Sequence, residues 1–318
     1  MLYPFFEAWV SLAYLSPWEA TPFPFGMTVL APVHVRNVGD FVTDRFVGVF
    51  GSLQFKLFIP GSYDGSPTPL MVMLHGCGQD ADDFASGTRM NALAEKYQCL
   101  VAYPEQSRSA NGARCWNWFK DANHHRGYGE PALIAGVVRK IISRYAVDAG
   151  KVFVAGLSSG GSMAVILGRT YPDLFAAVGC HSGLPHGAAT DQFGALRAMR
   201  HGPAIGALDG MAATDGLPTI VFHGDGDATV HPSNGGRIVR QSLQSGSPIQ
   251  TQELGVATGR LFTRDIHQSA SGAIIAEHWT VHGAGHAWSG GSRRGTNTDA
   301  SGPDASEEML RFFIDRQA

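Results

Sequence analysis

Apolar and polar positions alternate along the chain in a rhythm that begins after residue 50. Residues 53–60 (LQFKLFIP) alternate, as in a strand with one face exposed. Residues 70–76 (LMVMLHG), 99–104 (CLVAYP), 151–156 (KVFVAG), 175–182 (FAAVGCHS) and 218–224 (PTIVFHG) are short continuous apolar runs. Such runs predict strands covered on both sides. Residues 277–283 (EHWTVHG) predict a further strand. Helical spacing appears around 89–97, over 130–147 with Pro131 near its start, over 159–171 up to Pro172, over 232–245, and over 303–316. Strands alternating with helices predict an α/β domain, a mostly parallel sheet with helices on both faces. Residues 183–217 show weak periodicity and much Gly and Ala, so a functional segment with small helices is expected there.

Residues 1–50 follow a different pattern. Pro17, Pro22, Pro24 and Pro32 predict extended chain, so 1–50 is expected to be an extension packed on a catalytic domain at 51–318. The opening run MLYPFFEAWVSLAYLSPW is apolar, but no Lys or Arg precedes Arg36 and Glu7 interrupts it. It makes a poor signal peptide and is too short and broken to span a bilayer.

Composition narrows the possible partners. The 318 residues are 44% hydrophobic and 16% charged, enough to bury a sizeable core, and the net charge is −3. Lys and Arg are scattered, so neither nucleic acid nor an anionic membrane is expected as a partner. No cofactor and no metal site is expected. The four cysteines form no CxxC pair. Cys99 and Cys180 lie in apolar runs and are expected to be buried thiols. Cys77 and Cys115 lie in irregular loops and are expected to form a disulfide under oxidising conditions.

Gly156-Leu157-Ser158-Ser159-Gly160 is the single G-x-S-x-G of the chain. Among 40 glycines the pattern alone carries little weight. Its context carries more, because an apolar strand ends just before it and a helix starts just after, as a nucleophile elbow requires. The plain alternative is a glycine-rich strand-to-helix turn without chemistry. A serine hydroxyl needs a base to take its proton. Of the 13 histidines, His286 follows a late strand in a Gly-rich loop. His282 is its rival, while His124 and His125 lie in a polar loop. The base needs an orienting carboxylate, and Asp227 in HGDGDATV follows the buried run 218–222; Asp225 remains open. A calcium loop starting at Asp225 would put Val230 where glycine belongs and Gly236 where glutamate belongs, which excludes it. The order Ser, Asp, His is that of the α/β-hydrolase fold. Oxyanion donors are expected from the backbone N–H groups of Ser159 and Cys77. Trp116, Trp118 and Trp288 are candidate substrate-binding walls.

The motifs LHGCGQ (74–79), YPEQ (103–106), RCWNWF (114–119), RGYGE (126–130), GLSSGG (156–161), HSGLPHGAA (181–189), HGDGDATV (223–230), GHAWSGG (285–291) and GPDASEEMLRFF (302–313) together resemble the poly(3-hydroxybutyrate) depolymerase family of esterases. That family is related to feruloyl and acetyl-xylan esterases. The resemblance implies an α/β-hydrolase fold. It implies a serine esterase acting through an acyl-enzyme on esters of short hydroxyacids, such as 3-hydroxybutyrate oligomers, with feruloyl or acetyl-xylan esters as the alternative. It also implies Ser158, Asp227 and His286 as catalytic residues, with Cys77 and Ser159 as oxyanion donors. Secreted members carry a linker and polymer-binding module after the catalytic domain. None follows the helix 303–316 here, so the expected substrate is a small or oligomeric soluble ester rather than crystalline polymer.

Overall fold

The continuous apolar runs become the middle of one sheet and the alternating segments its margins. The computed structural model describes residues 39–202, 216–243 and 249–315. In chain order the strands are β1 (Asp40–Gly48), β2 (Gly51–Ile59), β3 (Thr68–Leu74), β4 (Leu100–Glu105), β5 (Val147–Leu157), β6 (Ala177–His181), β7 (Thr219–Gly224), β8 (Ile249–Ala257), β9 (Arg260–Gln268) and β10 (Ile274–Val281). Two further short strands, β11 (Trp288–Ser289) and β12 (Thr298–Asp299), pair with each other. The helices are α1 (Ala81–Thr88), α2 (Met90–Tyr97), α3 (Gly129–Arg144), α4 (Ser159–Thr170), α5 (Gln192–His201), α6 (Ser233–Ser242) and α7 (Ala305–Asp315).

The long strands form a single ten-stranded sheet in the order β1-β2-β4-β3-β5-β6-β7-β10-β9-β8. From β4 across to β10 every pairing is parallel. The margins β1–β2 and β9–β8 run antiparallel. Because successive side chains of a strand point to opposite faces, each central strand feeds two cores. Leu70, Val72, Leu74, Val152 and Val154 pack in the core that includes Ile134, Val137, Met163 and Ile166 of α3 and α4. Met71, Met73, Phe153 and Ala155 pack in the core that includes Phe84, Ala94, Met309 and Phe313 of α1, α2 and α7. Within α4 every residue except Arg169 is buried, so the helix after Ser158 has almost no solvent face.

The carboxyl ends of β3, β5, β7 and β10 therefore meet along one edge, where an α/β sheet of this kind places its ligands. Helix α7 locks the last of these strands in place. Glu277 of β10 is fully buried and is held by Arg264 at 2.7 Å, Arg311 at 2.7 Å and the Trp279 indole N–H at 2.9 Å. Phe313 stacks on Phe153 with ring centroids 4.9 Å apart.

Several elements were not expected from sequence. Strand β1 belongs to the sheet and pairs with β2, so the sheet starts at Asp40, ahead of residue 51. The expectations for residues 1–38, including the packed extension, lie outside the described residues. Helix α1 was passed over, although Asp80 caps it by accepting from the Asp83 N–H at 3.0 Å. It is separated from α2 by Arg89 in the left-handed conformation, φ 57°. The helix expected over 130–147 stops at Arg144, since Tyr145 is extended and Val147 already begins β5. Within 183–217 the structure shows α5, capped by Asp191.

Phe313→Ala is expected to cost about 3–5 kcal/mol of stability, because it empties a site in the closing core. Val256→Ala, at an exposed position, is expected to stay within about 0.5 kcal/mol. Urea denaturation with an unchanged slope measures both.

Candidate active site

Ser158 stands where β5 ends and α4 begins, with φ 56° and ψ −117°. A non-glycine residue at such angles is strained and persists only where its surroundings fix it. Here the Ser158 N–H donates to the His181 carbonyl at 2.8 Å, and its own carbonyl accepts from the Ser162 N–H at 2.9 Å. The flanking glycines allow the close packing that holds the turn. A Cβ on Gly156 would stand 2.4 Å from the Gly160 carbonyl carbon, and one on Gly160 would stand 2.1 Å from the Leu74 oxygen. Both clashes are with backbone, which has no room to yield.

Asp227 and His286 come from the loops after β7 and β10. His286 Nδ1 donates to Asp227 Oδ2 at 2.7 Å. This leaves Nε2 as the basic nitrogen. The other Asp227 oxygen accepts from the N–H groups of Thr229 and Val230, both at 2.9 Å. Burial by itself would raise this carboxyl. Hydrogen bonds from His223 and His286, the imidazole charge and the Val230 amide outweigh it and hold the carboxyl well below the usual range. Asp227 is therefore ionised at neutral pH. Among the described residues, no hydrogen bond joins Ser158 Oγ to His286 Nε2. Such contacts are often loose without substrate and tighten when it binds.

The rival pair is also present, and its two members face each other. His282 Nδ1 lies 2.8 Å from Asp225 Oδ2, while Nε2 lies 2.8 Å from Thr263 Oγ1. Both ring nitrogens are thus engaged, which removes His282 as a base for Ser158. Asp225 Oδ1 accepts from the Gly283 N–H at 2.6 Å. The Asp225–His282 pair bridges the same two loops as Asp227–His286 and works as a strut between them.

On the other side of the serine runs the loop after β3. Cys77 is disulfide-bonded to Cys115. Ser159 Oγ lies 3.4 Å from Cys77 Sγ, and since that sulfur carries no hydrogen the hydroxyl is the donor. Among the described residues neither the Cys77 N–H nor the Ser159 N–H bonds within the chain, so two backbone donors are free beside Ser158. Gln79 fixes the loop. Its Oε1 accepts from the Gly76 N–H at 2.9 Å, and its Nε2 donates to Asp83 at 2.8 Å and to the Thr296 carbonyl at 2.9 Å. Half-buried Glu130, at the start of α3, fixes the loop holding Cys115. It accepts from Gln106 at 2.6 Å and from the Asn117 backbone at 2.8 Å. Desolvation raises its carboxyl, with the bonds from Asn117 and Gln106 opposing the shift.

Residues 53–258 match the family described as Esterase PHB depolymerase. The chain belongs to the PHB depolymerase esterase family. It is 33% identical over 246 residues to poly(3-hydroxyalkanoate) depolymerase C of Paucimonas lemoignei, covering 74% of this chain and 58% of that protein. It is 28% identical over 270 residues to the poly(3-hydroxybutyrate) depolymerase of Ralstonia pickettii, covering 78% of this chain and 54% of that one. The chain thus spans a little over half the length of these two depolymerases. A probable acetylxylan esterase A of Aspergillus clavatus is 32% identical over 215 residues, 63% of this chain and 66% of that protein. Among solved structures, an acetyl xylan esterase from Aspergillus awamori superposes with a TM-score of 0.64 at 20% identity, covering 86% of this chain and 98% of that one. The feruloyl esterase module from Clostridium thermocellum gives 0.52 at 14% identity, covering 87% and 90%. These likenesses show the α/β-hydrolase fold.

In this family member the tryptophans are not where the sequence suggested. Trp116, Trp118 and Trp288 are 0%, 5% and 0% exposed, so they are core anchors rather than open substrate walls. Trp288 donates to Ser306 Oγ at 3.0 Å, meets Phe84 edge-on at 5.5 Å and stacks on His181 at 5.3 Å. Trp116 packs beside His75 at 5.6 Å, at the start of the loop after β3. Cys99 and Cys180 are free and buried, and burial pushes both thiols up to about 12. His223 was missed, although its place at the end of a buried run marks it as internal. His181 was missed too; burial, with His223 and His286 nearby, pulls it down to about 3, so it is neutral. No group of three or more His, Cys, Asp or Glu is arranged to hold a metal ion among the described residues.

Two measurements follow from this geometry. Asp227→Asn is expected to lower kcat by about 10³–10⁴-fold, since the imidazole loses the partner that fixes its tautomer. Asp225→Asn, which loosens only the strut, is expected to cost about tenfold at most. Equal losses in the two variants would contradict the division of roles. Separately, unreduced protein is expected to expose no alkylatable thiol at Cys77 or Cys115, and mild reduction is expected to lower kcat before the protein unfolds.

Proposed function

We propose that the chain is a serine carboxylesterase with Ser158 as nucleophile, His286 as base, Asp227 as its orienting acid, and the Cys77 and Ser159 N–H groups as oxyanion donors. The observation that carries this reading is the strained Ser158 elbow on the same sheet edge as a buried Asp227 bonded to the half-buried His286. As Ser158 Oγ attacks the ester carbonyl, His286 Nε2 takes its proton and Asp227 stabilises the imidazolium. The carbonyl oxygen becomes an oxyanion facing the two free N–H groups. The intermediate collapses, the C–O bond to the alcohol breaks, and His286 returns the proton to the departing alkoxide. Water then adds to the acyl-Ser158 ester by the same route in reverse and releases the acid.

For substrate, the reading is an ester of a short hydroxyacid, 3-hydroxybutyrate oligomers being the example. Similarity to the two depolymerases, running over 74% and 78% of the chain, supports it. The second reading is an acetyl or feruloyl ester of a plant-wall sugar. Its support is the acetylxylan esterase relative, whose match covers 63% of the chain.

Ser158→Ala is expected to lower ester hydrolysis at least about 10³-fold while leaving the melting temperature within a few degrees of wild type. Activity within a few-fold of wild type would remove Ser158 from its role. A panel of soluble 3-hydroxybutyrate trimer, acetylated xylo-oligosaccharide and methyl ferulate at equal enzyme concentration separates the two substrate readings. The first predicts the highest kcat/KM on the trimer; a preference for either sugar-wall ester favours the second.

A further inference from the structure

Strand β6 lies between β5, which leads to Ser158, and β7, which leads to Asp227, yet it supplies no group to the reaction above. Its last residue, His181, is bonded to both halves of the site. In register it stands beside Leu157 of β5 and Phe222 of β7. Its carbonyl oxygen accepts from the Ser158 N–H at 2.8 Å, which fixes the amide of the strained elbow. Its ring meets the loop after β10. There Nε2 lies 3.0 Å from the backbone nitrogen of Ser289, three residues beyond His286.

The ring has one orientation and one tautomer. It is 1% exposed and stacks on Trp288 at 5.3 Å and on Phe222 at 5.8 Å. A backbone N–H only donates, so Nε2 accepts and bears no hydrogen. Burial, with His223 and His286 adding to it, keeps the ring neutral. Its one hydrogen is therefore on Nδ1, and the Ser182 hydroxyl, 3.1 Å away, accepts it. Ser182 is fully buried and holds φ 51°, so a second strained residue beside the elbow places that acceptor. The loop carrying His286 is thus anchored at both ends. The Asp225–His282 pair holds it upstream, and the Ser289 amide on His181 holds it downstream. Ser289 is buried, so without this acceptor its amide would lie unpaired away from water.

We propose that His181 is a positioning residue that couples the two halves of the site. Its backbone fixes the Ser158 elbow, and its ring fixes the loop that aims His286 at the serine. Because one residue carries both bonds, a single side chain sets the spacing of nucleophile and base. The ring itself takes no proton in the cycle. The inference rests on Ser158 and His286 acting as nucleophile and base.

The test compares His181→Phe with His181→Gln in the full chain. Phenylalanine keeps a stacking ring but has no acceptor for the Ser289 amide. Glutamine gives up the stack but can place its amide oxygen near the position of Nε2. The readouts are kcat, KM and the downfield proton resonance of the Asp227–His286 hydrogen bond. His181→Phe is expected to lower kcat about 10–100-fold with KM within about twofold, and to shift or broaden the resonance. His181→Gln is expected to keep kcat within about fivefold of wild type. Wild-type kcat with an unmoved resonance in His181→Phe would overturn the proposal, as would equal loss of kcat in the two variants. Nitrogen-15 NMR of the wild-type imidazoles gives a reading that needs no variant to fold. It is expected to show His181 neutral with its hydrogen on Nδ1 at neutral pH, and a hydrogen on Nε2 would also overturn the proposal. Ser158→Ala is assayed alongside. If it retains activity, the reading of the site has failed; if it is inactive while His181→Phe keeps wild-type kcat, only the coupling through His181 has failed.

Discussion

A single strained residue at the junction of β5 and α4 sets the terms for its surroundings. Ser158 holds φ 56° and ψ −117° because Gly156 and Gly160 let the turn press directly on the backbone of β3. That pressure is why α4 is buried on nearly all sides and why the loop after β3 passes so close to the serine. The loop has no regular hydrogen-bond ladder of its own, so other devices hold it: the bond to Cys115, the Gln79 side chain, and through Cys115 the half-buried Glu130 cluster. The strain at the serine and the bracing of the loop after β3 serve one requirement of the proposed reaction, that free N–H groups and a hydroxyl stay in register without a substrate to organise them.

The other half of the site depends on a buried charge. Asp227 lies among neutral and donor groups, with two amides on one oxygen and imidazoles on the other. Taking a carboxylate out of water is costly unless its lone pairs are satisfied, and here both oxygens are engaged. The outcome is a group that does not titrate near neutrality and keeps one imidazole nitrogen permanently occupied. The parallel Asp225–His282 strut is more exposed and shares no atom with the reaction proposed for Asp227 and His286. It fixes the spacing between the two loops that Asp227 and His286 bridge.

Much of this was legible in the residues because it rests on local pattern. The central strands announce themselves as apolar runs, since both their faces are covered, and the elbow is marked by glycines that only close backbone packing demands. The margins were harder to see. Strands β8 and β9 form an antiparallel hairpin with Leu254, Val256 and Leu261 facing solvent, so no clean inside-outside alternation marked them. Strand β1 alternates only weakly and follows a proline-rich stretch. The tryptophans misled for a different reason. A Trp in a polar loop suggests a substrate wall, but loop residues can still reach inward, as Trp116, Trp118 and Trp288 do.

The most direct test of the account is a crystal structure of the chain after reaction with a small alkyl phosphonate ester. The account predicts a covalent bond from Ser158 Oγ to phosphorus. It further predicts a phosphonyl oxygen about 2.7–3.1 Å from the backbone nitrogens of both Cys77 and Ser159, with His286 Nε2 turned to Ser158 Oγ or the remaining alkoxy oxygen of the adduct and Nδ1 still on Asp227. An adduct on any other residue, or an oxygen that points away from both amides, would contradict it.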